Sequence, residues 1–278
     1  MNAERQDRPV REVSIAAMRD DRLSPRQDLV VVEEPLEIRV ARAGEAGPGT
    51  AVSITMRTPG QDIELAVGFL HGEGILRSRE DVAGSRLCGP AGNVVRIQLA
   101  PGAGLDPGQV QRNFYTTSSC GVCGNASLEA VERMLRSPRV DAALTVTAAL
   151  LESLPARARA AQDVFRDTGG LHAACLFDAE GGLLDLREDV GRHNALDKLV
   201  GARLLAGELP LSRCVLLLSG RASFELLQKA AAAGIPVVAA VGAPSSLAVD
   251  LAERTGILLV GFLREGSFNV YAHRERLQ

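Results

Sequence analysis

Two thiols at C-x-x-C spacing, Cys120 and Cys123 within Ser118-Ser119-Cys120-Gly121-Val122-Cys123-Gly124, carry the strongest chemical signal in this chain. Sulfur in such a pair is either nucleophilic or half of a metal site. Leu128, Val131 and Leu135 follow at i, i+3 and i+7, with Asn125 or Ser127 available as cap, so the spacing predicts a helix just past the thiols. The partial positive charge of a helix N-terminus favours thiolate by roughly 0.3–1 kcal/mol. An ordinary thiol of pKa about 8.5 is only a few per cent thiolate at neutral pH, so a modest downward shift raises reactivity. Gly121 and Gly124 leave both sulfurs accessible.

A second set of residues suits an anionic ligand. Gly220-Arg221 stands between an apolar run and a helix pattern that starts at Ser223, where backbone N–H groups and a guanidinium converge. Gly242-Ala243-Pro244-Ser245-Ser246 repeats that arrangement one unit later. Arg192 and His193 lie at the start of the preceding helix, and Asn194, Asp197 and Lys198 extend a polar surface there. Phe262, Leu263, Arg264, Glu265, Gly266 and Ser267 run off a strand into a turn, and His172 follows Gly169-Gly170. The ordinary alternative for each turn is a strand-to-helix connection that needs only glycine and a serine cap.

These residues need elements to hold them. Residues 1–20 mix charges and read as a loose N-terminal arm, with Val13, Ile15 and Ala17 alternating enough for an edge strand. Residues 21–145 form a β-rich α+β domain: strands over 29–33, 36–41 and 52–56, a short helix marked by Ile63, Val67 and Leu70, a hairpin signal at Gly92-Asn93, and the C-x-x-C loop with its helix. Residues 146–278 form an α/β domain. Its first helix is capped by Thr147 and interrupted at Pro155, and strands and helices alternate to the end. Continuous apolar strands such as Val215-Leu216-Leu217-Leu218 argue for a mostly parallel sheet covered on both faces, with ligands at its carboxyl end.

Composition narrows the function classes. The 278 residues are 46% hydrophobic but only 3% aromatic, with no Trp and net charge −3, which argues against a nucleic-acid groove built on stacking. No window reaches 18 apolar residues and Met1 to Arg11 is charged, so neither a membrane span nor a signal peptide is expected and the cytoplasm is the default compartment. Five cysteines at scattered positions do not form a disulfide framework. Cys175 and Cys214 sit in apolar runs and read as inert core thiols.

His71-Gly72-Glu73 with Cys120 and Cys123 superficially matches the H-x-E and P-C-x-x-C signature of zinc deaminases. A zinc-dependent deaminase or hydrolase on those four residues is therefore the alternative function. No Pro precedes Cys120, however, and the two helix starts of the second half, His193-Asn194-Ala195 and Gly220-Arg221-Ala222-Ser223, contain no zinc ligand set. The topology is deaminase-like without the metal.

Taken together, the chain resembles the formate dehydrogenase accessory sulfurtransferase family, FdhD, over nearly its whole length. The matching words are Glu33-Glu34-Pro35-Leu36-Glu37-Ile38-Arg39, Met56-Arg57-Thr58-Pro59-Gly60 with Glu64-Leu65-Ala66, and Ser118 to Gly124. Thr168-Gly169-Gly170-Leu171-His172-Ala173, Arg187 to Ala195, Ser219-Gly220-Arg221 with Ser223-Phe224-Glu225, and Gly261-Phe262 complete them. The resemblance implies a cytoplasmic sulfur carrier, likewise a sulfurtransferase with a cysteine persulfide intermediate. It would take sulfur from a cysteine desulfurase and pass it to the molybdenum bis(molybdopterin guanine dinucleotide) cofactor before insertion into formate dehydrogenase. It implies a second domain similar to cytidine deaminases in fold, lacking the zinc ligands, and a homodimer. Cys120 matches the persulfide-bearing cysteine, Cys123 its partner, and Phe262 to Ser267 the segment that contacts the cofactor. Asn125 stands where members of that family often carry Lys.

Overall fold

The computed structural model of the chain describes residues 9–89, 92–103, 140–141 and 143–278. It begins with a hairpin of two ten-residue strands, β1 (Val10–Arg19) and β2 (Arg22–Val31), paired antiparallel along their length. The loose arm expected over residues 1–20 is therefore a strand from Val10 onward, as the alternation of Val13, Ile15 and Ala17 allows. Asp20 and Asp21 make the turn at φ 48° and 57°, a left-handed pair that matches strand twist and that Asp tolerates.

Strands β3 (Glu34–Arg42), β4 (Thr50–Arg57), β5 (Val82–Cys88) and β6 (Val94–Leu99) form a four-stranded sheet in the order β4-β3-β6-β5. Period-two alternation turns Leu36, Ile38 and Val40 of β3 and Val95, Ile97 and Leu99 of β6 to one face. Helix α1 (Asp62–Gly72) closes that face with Leu65, Ala66 and Leu70.

The second sheet contains β7 (His172–Phe177), β8 (Leu183–Asp189), β9 (Val215–Leu218), β10 (Val237–Ala240), β11 (Leu258–Arg264) and β12 (Ser267–Ala272), in the order β12-β11-β10-β9-β7-β8. Only β9, β10 and β11 pair parallel; β7 runs antiparallel to β8 and β9, and β12 to β11. The mostly parallel sheet expected from the apolar runs is thus a mixed one. Short turns at Glu180-Gly181-Gly182 and Glu265-Gly266 force their flanking strands to be antiparallel neighbours.

Helix α2 (Ala148–Ala161) covers one face through Leu151, Leu154 and Ala158 and is followed by the short α3 (Asp163–Thr168). Helices α4 (Arg192–Leu205), α5 (Phe224–Ala232) and α6 (Ser246–Thr255) cover the other through Leu196, Leu199, Leu226, Leu227 and Leu251. The Thr147 hydroxyl caps α2 by accepting from the Leu150 N–H. Pro155 does not interrupt this helix, and the break falls at Gln162 instead. One missing backbone bond is offset by the burial of Leu151, Leu154 and Ala158 on both sides of it.

The two halves meet where α1 crosses α4. A Cβ added at Gly68 would lie 1.9 Å from the Asp197 carbonyl oxygen, and one at Gly201 would lie 1.8 Å from that of Glu64. Backbone packs on backbone at this crossing, which only glycine permits. No helix among the described residues is long and apolar enough to cross a membrane.

Candidate functional site

The strand directions bring the singled-out residues to one end of the six-stranded sheet. β8 runs parallel to β9 because each is antiparallel to β7, so the carboxyl ends of β8, β9, β10 and β11 share an edge with the start of β7. The N-termini of α4, α5 and α6, at Gly191, Ser223 and Ser245, therefore point to the same edge. Such a place collects partial positive charge.

Backbone forms its floor. Gly242 N–H donates to Gly220 C=O at 2.9 Å, and Phe262 N–H donates to Gly242 C=O at 3.0 Å, which carries the ladder beyond the strands. A Cβ at Gly242 would come within 3.0 Å of the Gly220 oxygen and 3.1 Å of Arg221 Cα, so a side chain there would push the turns apart. Phe262 adopts φ 52°, and its ring is exposed. Of the turn expected to contact a cofactor, Arg264, Glu265, Gly266 and Ser267 are exposed, whereas the Leu263 side chain is buried in the core beneath α2. Leu263 can offer a ligand only its backbone.

Arginine and histidine form the walls. Arg192 and Arg221 flank His172, and burial together with those two cations holds the His172 imidazole below its ordinary pKa. His193 Nε2 lies 3.2 Å from Ser223 Oγ and 3.5 Å from Glu225 Oε2. Burial pushes its pKa down to about 4, against the pull of Glu225 and with the help of Lys229, Arg192 and His172. At neutral pH both rings are uncharged, hydrogen-bonding groups. Arg192 Nε is buried without a hydrogen-bond partner, and neither Arg221 nor Arg264 makes an ion pair among the described residues. Cations without carboxylates at helix N-termini suit phosphate oxygens.

Asn194, Asp197 and Lys198, which sequence adds to this polar surface, do other work. Lys198 Nζ sits 2.7 Å from Asp189 Oδ2, both fully buried, and donates to the Thr58 carbonyl at 2.9 Å. Asp189 also accepts from the backbone N–H groups of Thr58 at 3.1 Å and Gly191 at 2.8 Å. Asn194 Nδ2 donates to Met56 C=O at 2.7 Å, while its Oδ1 accepts from the Thr55 hydroxyl at 3.1 Å. The words Met56 to Gly60 and Asp189 to Asn194 thus interlock across the halves and fix the start of α4. Asp197 pairs with Lys229 at 2.7 Å inside the protein. Burial works against the Lys229 ammonium, but Asp197, Glu225 and Glu73 outweigh it and hold its pKa above the ordinary lysine value. Sequence missed this lock, and Ser223 and Glu225 as partners of His193, because the lock's contacts across the halves and those of His193 join residues 30 or more apart.

Cys120 and Cys123 lie outside the described residues. Among the described residues, no group of three or more His, Cys, Asp or Glu is arranged to hold a metal ion. His71 is buried at the end of α1 with Nδ1 2.9 Å from the Leu76 carbonyl oxygen, and burial lowers its pKa.

Across known families, residues 31–278 match FdhD/NarQ. The chain belongs to the FdhD/NarQ family. It is 57% identical over 260 residues to the sulfur carrier protein FdhD of Mycolicibacterium paratuberculosis, covering 91% of this chain and 93% of that one. Against the sulfur carrier protein FdhD of Streptomyces coelicolor it is 55% identical over 271 residues, covering 95% and 94%. The likeness reaches Sulfolobus acidocaldarius, whose sulfur carrier protein FdhD is 40% identical over 268 residues, covering 96% and 98%. In fold it is similar to a crystal structure from Desulfotalea psychrophila assigned to a formate dehydrogenase accessory protein, with TM-score 0.77, 23% identity and coverage of 98% of this chain and 100% of that one. FdhD/NarQ membership does not favour the zinc deaminase alternative on His71, Glu73, Cys120 and Cys123.

Proposed function

We propose that this FdhD/NarQ chain is a sulfur carrier required for formate dehydrogenase activity, with Cys120 as the carrying residue. The observation that carries the reading is the Cys120-Gly121-Val122-Cys123 word inside the matched span of a chain 57% identical to a sulfur carrier protein. The Cys120 thiolate attacks the outer sulfur of a cysteine desulfurase persulfide. A new S–S bond forms on Cys120, the donor's S–S bond breaks, and the donor cysteine leaves as thiolate. For release, the Cys123 thiolate attacks Cys120 Sγ, closing a Cys120–Cys123 disulfide and expelling the outer sulfur as hydrosulfide; a cellular dithiol then restores the pair.

The acceptor in this reading is the molybdenum bis(molybdopterin guanine dinucleotide) cofactor, a substrate carrying two pyrophosphates. Arg192, Arg221 and Arg264 without carboxylate partners among the described residues, the Arg192 Nε unpartnered there, and three helix N-termini on one edge support a site for such a polyanion. Gly220 and Gly242 let their two turns pack closely at this edge, His193 offers a neutral ring, and the Phe262 to Ser267 turn, exposed except at the buried Leu263, borders the edge. The reading includes a cytoplasmic homodimer that serves a desulfurase and a formate dehydrogenase, and a second half that is cytidine-deaminase-like in fold and lacks the zinc ligands. Its test is formate dehydrogenase activity in cells lacking this gene. The wild-type chain restores activity, Cys120→Ala does not, and an Arg192→Gln/Arg221→Gln double variant restores little. Full restoration by Cys120→Ala would defeat the proposal.

A further inference from the structure

The β1–β2 hairpin stands largely in solvent. Val31 holds its base, where a Cβ at Gly170 would come within 3.1 Å of the Val31 Cγ2, but residues 22–27 are all exposed. Met18 and Leu23, paired across the two strands, are 61% and 66% exposed. A two-stranded hairpin is marginal in water until a further strand or a packed face joins it.

Register fixes which backbone groups face outward. Val32 N–H donates to Pro9 C=O at 2.8 Å, and the pairing of Arg19 with Arg22 closes the two-residue turn. Hydrogen-bonded pairs alternate with unbonded ones along an antiparallel ladder, so the odd residues of β1 and the even residues of β2 bond inside the hairpin. Val10, Glu12, Ser14, Ala16 and Met18 therefore turn N–H and C=O to the outer edge of β1. Among the described residues none of them makes a backbone hydrogen bond there. On the outer edge of β2, Pro25 has no N–H to give. One edge is blunted and the other is open to a strand.

We propose that β1 pairs antiparallel with β1 of a second copy about a two-fold axis at Ser14, joining two hairpins into one four-stranded sheet. Outward-facing residues must meet outward-facing residues, so the axis falls on a residue and only a few registers exist. Centred on Ser14, the strands pair from Val10 through Met18, with Arg11 opposite Ala17 and Glu12 opposite Ala16. Centred on Ile15, Arg11 would stand opposite Arg19 twice, and like charges so placed repel. Centring on Val13 or Ala16 shortens the pairing. The Ser14 register also matches side chains across all four strands. Leu23, Met18, the partner's Val10 and the partner's Val31 form an apolar row, repeated by symmetry, that covers the exposed pair. Between the two rows lie Ser14 and Gln27 of each copy, whose side chains already bond within one chain at 2.9 Å. On the other face Val13 meets the partner's Ile15 in an unbonded pair, where side chains approach closest. Because β2 offers no comparable edge, the contact is isologous and closes at two copies. The inference rests on the homodimer included in the proposed function and on no step of sulfur transfer.

The test is sedimentation velocity of the full chain over a concentration series. Wild type shifts from one chain to two as concentration rises. Ser14→Pro removes only an outward N–H, repeating on β1 what Pro25 does on β2, and weakens association about tenfold. Gln27→Pro, outward on β2, stays within about twofold of wild type. Circular dichroism and the persulfide mass gain of Ser14→Pro match wild type, so lost association is not lost fold. A second measurement reads the register. Opposed residues of a bonded pair have Cα atoms about 5.5 Å apart, within disulfide reach. Under oxidised glutathione Ser14→Cys therefore cross-links two copies through position 14, identified by peptide mass, and Ala16→Cys, opposite Glu12, does not. A single chain at every concentration, unchanged association in Ser14→Pro, or equal cross-linking at positions 14 and 16 would overturn the interface. The second outcome leaves a homodimer built on other surfaces, and the persulfide mass gain reports on sulfur transfer apart from all three.

Discussion

Gly68→Ala attacks the crossing that sets the two halves against each other. The added methyl would lie 1.9 Å from the Asp197 carbonyl oxygen, 2.6 Å from its carbon and 2.9 Å from Cα, all backbone atoms of α4. Ordinary contact begins near 3.4 Å, so the overlap is about 1.5 Å and no side-chain rotation relieves it. Relief requires moving α4 as a body. That movement draws Asn194 and Lys198 away from the Met56 and Thr58 carbonyls to which they donate at 2.7 and 2.9 Å. Overpacking costs about 1–3 kcal/mol, and the strained bonds about 1 kcal/mol each, for a total of roughly 4 kcal/mol. At about 2–3 °C per kcal/mol for a chain of this size, the melting temperature should fall by roughly 10 °C, read by circular dichroism or calorimetry. Gly84→Ala is the control, because its Cβ would meet only the Gln98 side chain, at 3.5 Å from Oε1 and 3.9 Å from Cβ, and it should melt within about 2 °C of wild type. If Gly68→Ala also melted within that margin, the helix crossing as described would be wrong.

Lys198→Met strands the fully buried Asp189 carboxylate and should cost about 3–5 kcal/mol in urea unfolding, with Asp189→Asn/Lys198→Met recovering part of it. A loss under about 1 kcal/mol would contradict the interlock. His193 has its folded-state pKa lowered to about 4, from 6.5, so between those values the unfolded chain binds the extra proton. Its contribution to stability is therefore complete above pH 6.5 and is lost as pH falls toward 4. Proton NMR should place the His193 midpoint well below 6.5, and His193→Gln should flatten the stability curve over that window; a midpoint near 6.5 would refute the burial argument. Burial pushes the Cys175 thiol up to about 12 and raises Cys214 as well. Neither should react with a thiol reagent at pH 8 until the protein is denatured, and rapid native labelling of Cys175, followed by peptide mapping, would show the sheet to be open.

Much of the second half was legible because its signals are local. Apolar tetrads at Val215 to Leu218 and Val237 to Ala240, each followed by a glycine turn and a serine cap, place strand, turn and helix in order, and strand-end topology then gathers Arg192, Gly220 and Arg221. Strand direction was less legible, since an apolar run does not say which way its neighbour points; the antiparallel β7 came only from the structure. Pro155 read as a break because propensity counts the lost hydrogen bond and not the leucines buried around it. The lock between Thr58, Asp189 and Lys198 was visible only as two separate words, and residue types that read as a ligand pocket proved to be a sealed polar contact.

The central claim is that Cys120 carries sulfur, and intact-mass spectrometry after incubation with a cysteine desulfurase and cysteine tests it most directly. Wild-type protein should gain about 32 Da, the mass of one sulfur atom, in a form removed by reductant, and Cys123→Ala should retain that gain while Cys120→Ala loses it. A gain that survives in Cys120→Ala, or no gain in any form, would contradict the account.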